Sequence, residues 1–141
     1  MFGYRRRPRL LEDDAVGRLE YEDPNGWKLA HELDGRSIEI TIDGDRDGLH
    51  PSARKTWLAT REKLPKKWQR VMTFARRELR KLNAPWEVRS TTFKLWSVSV
   101  HRKGGFDGAE LVFWFEIDED PDGAYYVSLI EGEPFYLHRD G

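Results

Sequence analysis

The sequence predicts an α+β domain in the order βββ–αα–βββ: a mainly antiparallel sheet with a helical pair packed on one face. Three observations predict it. Residues 51–85 form the only long stretch with a sustained helical period. Runs of period-two alternation flank it on both sides, and turn signatures rich in Asp, Gly and Pro separate those runs. Elements in this order place helices against one side of antiparallel strands.

Residues 1–16 read as a loose arm, and residues 17–141 as one domain. In the arm, Arg5, Arg6, Arg7 and Arg9 precede Glu12, Asp13 and Asp14. A frayed terminus and a basic arm reaching an acidic partner or nucleic acid both fit that pattern. Residues 17–23 are expected as the first strand, with Leu19 and Tyr21 on one face. After the Asp23-Pro24-Asn25-Gly26 turn, Trp27, Leu29, His31 and Leu33 alternate inward. Asp34-Gly35 marks a hairpin, and Ile38, Ile40 and Ile42 then point to one side.

Within 51–64, Ala53, Trp57 and Leu64 share a helical face. From Pro65 the amphipathic pattern strengthens. At about 100° per residue, Trp68, Val71, Met72, Ala75, Leu79 and Leu82 occupy one sector, opposite Lys66, Arg70, Arg76, Arg77, Arg80 and Lys81. Pro65 suits the first turn of a second helix, and Asn83 and Pro85 supply the stop. A single helix bent at Pro65 is the alternative. Three more strands are expected after it. Residues 92–102 carry Trp96, Val98 and Val100 on one face and Phe93 and Leu95 on the other. Residues 109–118 are apolar on both faces, as in a central strand covered on two sides. The Asp120-Pro121-Asp122-Gly123 segment reads as a turn from which 124–131 pairs back, and 134–139 is a short edge segment.

Composition narrows the function classes. Of 141 residues, 35% are charged and 13% aromatic, which describes a globular domain with a ring-rich core. There is no cysteine, so disulfides, thiolate catalysis and cysteine-ligated zinc are excluded. No apolar run approaches the ~18 residues of a membrane span. The N-terminus has no apolar signal region, so a cytoplasmic protein with no membrane association is expected. The net charge of −1 hides a separation: residues 51–85 carry +9 and the remainder −10, while 107–133 hold nine acids and no base.

The motifs that invite chemistry are incomplete. Asp43-Gly44-Asp45-Arg46-Asp47-Gly48 matches the start of a calcium loop, with Asp43, Asp45 and Asp47 as candidate ligands. Position twelve, however, is Arg54 where a bidentate Glu is needed, and a strand precedes the loop. Asp118, Glu119, Asp120 and Asp122 form a second acidic group, readable as a binding surface or as a solvated turn. Four histidines, at 31, 50, 101 and 138, have no metal-ligand spacing. His31 and His101 are the candidate catalytic residues if the fold brings carboxylates to them. No nucleophile elbow, P-loop or dinucleotide fingerprint occurs, and no cofactor is expected. On the helix, Lys66, Arg70, Arg77 and Lys81 form a basic stripe with Phe74 at its border, a pattern suited to nucleic acid. The −10 elsewhere opposes phosphate binding.

Several stretches together resemble a family of uncharacterised bacterial domains. They are Gly17–Tyr21 as G-x-L-x-Y, the early Trp27, the I-x-I-x-I strand, Leu82-Asn83 with Trp86 after a helix, the F-K-L-W-S-V-S-V run over 93–100, and the strand ending in Gly132. The resemblance covers about residues 17–132, and some members of that family lie near toxin–immunity systems. It implies no catalytic residues. The Gly-His pair of the family's penultimate strand is replaced here by Phe113-Trp114-Phe115-Glu116, so no role of that His carries over.

The leading expectation is a non-enzymatic binding domain, of immunity type, that meets a protein partner through Asp118, Glu119, Asp120 and Asp122. A small hydrolase or metal-dependent enzyme using His31 or His101 is the first alternative. Nucleic-acid binding by the Arg70, Phe74, Arg77 and Lys81 face is the second. A head-to-tail contact between basic helix and acidic hairpin would assemble copies; oligomeric state is otherwise open.

Overall fold

A computed structural model describes residues 9–140. Its main feature is one eight-stranded sheet in the order β1-β2-β3-β4-β7-β8-β9-β10. The strands are β1 (Leu10–Asp13), β2 (Gly17–Glu22), β3 (Gly26–Leu33), β4 (Arg36–Ile42), β7 (Phe93–Val100), β8 (Leu111–Ile117), β9 (Asp120–Ile130) and β10 (Glu133–Asp140). Two-residue strands β5 (Gly44–Asp45) and β6 (Gly48–Leu49) make a separate small ribbon. All neighbours in the large sheet are antiparallel except β4 and β7, which run parallel across the helical crossover.

The expected three-plus-three order is corrected to four strands on each side of the helix, besides the ribbon. The extra leading strand, β1, lies inside the region read as a loose arm. Leu11 opposes Leu19 across β1 and β2, and Asp13 is held by Arg54, so local pairing orders residues that composition alone leaves loose. The basic run Arg5–Arg7 lies outside the described residues.

The helical pair is also corrected. Residues 51–81 form one 31-residue helix: an α-helical part, Pro51–Thr60, a 3-10 turn, Arg61–Lys63, and a second α-helical part, Leu64–Lys81. Pro65 falls in the first turn of the second part, just past the tightened turn, so its missing N–H and ring are tolerated without a reversal. His50 caps the start, its Nδ1 accepting the Ser52 N–H at 3.2 Å. At ~1.5 Å per residue the helix is about 46 Å long, and eight strands ~4.8 Å apart span about 33 Å. The rod is therefore long enough to reach across the sheet, and both ends of the sheet are tied to it. Arg54 grips Asp13 bidentately at 2.8 and 3.1 Å, and Arg61 donates to the Ala15 carbonyl. At the far side Lys67 donates to the Gly132 carbonyl and Arg70 pairs with Glu133.

The core lies between this helix and one face of the sheet. Trp68, Val71, Ala75 and Leu79 are buried against Phe113, Phe115, Val98 and Val127. Two assignments from the helical wheel fail at its margins. Leu82 is 69% exposed because the helix ends at Lys81, and Arg76 lies over the Phe93 ring at 4.9 Å instead of in water.

Strand faces follow alternation until irregularities reset them. In β7 the register shifts between Leu95 and Ser97, so Phe93, Leu95, Val98 and Val100 all face the core and Trp96 is turned outward. That corrects the face assigned to Trp96. The β8–β9 turn is Asp118-Glu119, and Pro121-Asp122-Gly123 forms an irregularity within β9, not the turn itself. Gly26 opens β3 with φ 108°, and a Cβ there would meet the Ile42 carbonyl oxygen at 2.4 Å.

Candidate functional site

The helix covers one face of the sheet; the other carries a layer of rings. β8 supplies Trp114, because Phe113 and Phe115 already point to the helix. β9 supplies Tyr126 and β10 supplies Tyr136 and His138 by the same alternation. The 101–110 loop folds Phe106 over them. Ring centroids lie 4.8 Å apart for Trp114 and Tyr126, 5.4 Å for Phe106 and Tyr126, and 5.0 Å for Tyr126 and His138. Beneath this layer Val112 and Ser128 are buried although they lie outside the main core. The two-sided apolarity of β8 thus has a specific origin: among the described residues its second face is covered by rings from neighbouring strands and by Phe106 of the loop, not by a helix.

Beside the ring layer is a cleft of about 460 Å³. Trp96, Phe106 and Trp114 line it, together with hydroxyls of Thr41, Ser97 and Ser99, and with Glu22, Asn25, Glu39 and His101. Trp96 is 47% exposed and lies 6.3 Å from Trp114 at 47°, so the two indoles are splayed. Ser99 is fully engaged: Trp114 Nε1 donates to its Oγ at 2.9 Å, and His101 Nε2 lies 2.8 Å away. Burial holds the His101 imidazole below its ordinary pKa, against a smaller opposite pull from Asp43. Glu22 pairs with Lys28 at 2.7 Å, while Glu39 has no ion-pair partner among the described residues.

The residues singled out by sequence are dispersed. His31 lies on the helix side of β3, edge-on to Trp57 at 5.2 Å, and burial lowers its pKa. Neither His31 nor His101 has a carboxylate within hydrogen-bond distance among the described residues, so no acid-oriented imidazole is assembled at either. In the candidate calcium loop the carboxylates have partners within the chain. Asp43 is bound by the Arg102 guanidinium at 2.7 Å, which lowers its pKa, and Asp45 accepts the Asp47 N–H within the ribbon turn. Among the described residues no three acid or imidazole groups converge as metal ligands.

The acidic turn is largely engaged within the chain. Asp118 pairs with Lys94 at 3.2 Å, Glu119 accepts the Thr92 N–H, and Asp120 is bound by Arg139 and Tyr125. Asp122 is exposed. On the helix, Gln69, Arg70, Phe74, Arg77 and Pro134 line a groove of about 320 Å³. There Arg70 is paired with Glu133, and Lys81 pairs with Glu78 at 2.8 Å. Among the described residues no helix is long and apolar enough to cross a membrane.

Sequence reasoning missed Trp96, Phe106, Glu22 and Glu39 as neighbours. The available signal was Trp114, a large ring on the supposedly second covered face of β8. No family model, curated protein or solved structure matches the chain.

Proposed function

We propose that this chain is a binding domain that docks a protein partner on the uncovered face of its sheet, with the cleft beside Trp96 at the centre of the contact. The observation that carries the reading is the layer of Trp, Phe, Tyr and His rings on a face that no helix covers among the described residues. Contiguous ring surface left open on a small domain marks contact sites, and Trp and Tyr dominate interface energetics. Glu22 and Glu39 line the cleft; Lys28 pairs with Glu22, and Glu39 is left as the carboxylate without an ion-pair partner among the described residues, which favours a basic partner. An immunity-type role, an acidic face standing in for phosphate on a basic enzyme, is compatible with this surface. The acidic turn is the weaker candidate, because Asp118 and Asp120 already hold the chain's own cations and Glu119 accepts the Thr92 N–H.

The test is site-specific photocrosslinking in the source cells, with benzoylphenylalanine replacing Asn25 at the cleft rim or Arg77 on the helix. A discrete protein adduct from position 25 and none from position 77 is the expected result. Adducts from position 77 alone, or from neither, would overturn the reading.

A further inference from the structure

We infer that the cleft between Trp96, Phe106 and Trp114 is a receptor for a guanidinium group, the side chain of an arginine on the docked partner. This rests on the open face being the docking surface. Shape comes first. The irregularity in β7 turns Trp96 out of the alternation, so the indole stands as a wall instead of packing into the core. A strand irregularity that re-aims a large side chain next to a cleft is a recurrent device of binding sites. Trp114 supplies a second ring surface and Phe106 closes a further side.

Charge and hydrogen bonding narrow the occupant. Aromatic faces attract cations. Glu39 lines the cleft without an ion-pair partner among the described residues, although its charge also acts on Lys28, and Glu22 lines it too, paired with Lys28. Asn25, Thr41 and Ser97 add neutral acceptors. Guanidinium presents five donors and no acceptor, is planar enough to lie on an indole, and is more weakly hydrated than an ammonium. Phosphate would face the Glu39 carboxylate, with Lys28 already committed to Glu22, which argues against nucleic acid in this cleft. A neutral sugar would stack on the rings but leave Glu39 without a counter-charge.

Six tryptophans give six indole N–H signals in a 15N spectrum, a direct readout of the site. Acetyl-arginine-amide, titrated into the millimolar range, should shift the Trp96 and Trp114 signals and leave those of buried Trp27 and Trp57 in place. Acetyl-citrulline-amide, the uncharged isostere, should bind about tenfold more weakly, having lost the cation–π and ion-pair terms. Glu39→Gln should weaken the arginine response roughly two- to fivefold. Its backbone amide spectrum outside the cleft should match the parent, which separates a lost contact from a lost fold. Citrulline, acetyl-lysine-amide or methyl glucoside equalling arginine would overturn the assignment, as would no indole shift at all. An adduct from position 25 without an arginine response would sink this inference and leave the docking surface standing. No adduct would sink the docking surface itself.

Discussion

Trp68→Ala tests the packing on which the two-sided architecture depends. Trp68 is 6% exposed and contacts Phe93, Phe113 and Phe115, with centroids 5.7 to 6.3 Å away. It therefore links the helix to β7 and β8 at the middle of the sheet. Burying ~200 Å² of indole at ~25 cal/mol/Å² contributes up to about 5 kcal/mol. The alanine keeps a little of that, and the cavity left among three rings adds a cost of its own. The expected loss is about 3–5 kcal/mol, out of a total of roughly 5–15 kcal/mol for a domain of this kind. In urea, with a slope of about 2 kcal/mol/M, the midpoint should fall by about 2 M. Circular dichroism with urea titration measures it. A loss below about 1 kcal/mol with an unchanged slope would mean that the helix does not pack on the sheet through this residue, and the division into covered and open faces would fail with it.

Two further outcomes follow from partly buried polar contacts. Asp13 is held well below its ordinary pKa of 3.8, first by the hydrogen bonds from Arg54 and then by the Val16 and Ala15 N–H groups, against a partial opposing effect of burial. A depressed native pKa stabilises the fold above the unfolded value and is lost as pH falls below it. Asp13→Asn should therefore cost about 1–3 kcal/mol at neutral pH and progressively less below pH ~4, as measured by thermal melts across pH. Tyr125 is pushed up to about 12 by burial and by the hydrogen bond to Asp120. Among the five tyrosines its phenolate should appear late in an alkaline absorbance titration, and earlier in Asp120→Asn; an unchanged titration curve would refute the Asp120 contribution.

How much of this was legible in the sequence depended on whether a feature is periodic. The core strands announced themselves because Ile38, Ile40 and Ile42 keep strict alternation, and the Asp34-Gly35 turn has the positive φ angles its letters imply. The helix was legible from Trp68 to Leu79 for the same reason. What was missed is aperiodic. One extra residue in β7 reverses the side on which Trp96 emerges, and no composition signal marks that shift. Pro65 reads as a boundary, yet a 3-10 turn ahead of it keeps the rod continuous. The cleft joins Glu22, Glu39, Trp96, Phe106 and Trp114 through pairings between β2, β3, β4, β7 and β8, with sequence separations that local pattern cannot resolve.

The charge separation along the chain reads differently once folded. Part of the helix's +9 is matched across contacts: Arg54 with Asp13 and Asp14, and Arg70 with Glu133. The acidic stretch is likewise engaged through Lys94 with Asp118 and Arg139 with Asp120. These pairs tie together the helix, the sheet's two ends and the β8–β9 turn, so their charges belong to the fold before they belong to any partner. Reversing Asp120 would break the ion pair that adds to the backbone ladder between β10 and β9, so a loss of binding in that variant would not separate a lost contact from a weakened sheet edge. Glu39 makes no ion pair among the described residues, although its charge acts on Lys28. Situated on the open face beside Trp96, it is the carboxylate whose removal tests docking while leaving the ion pairs of the scaffold in place.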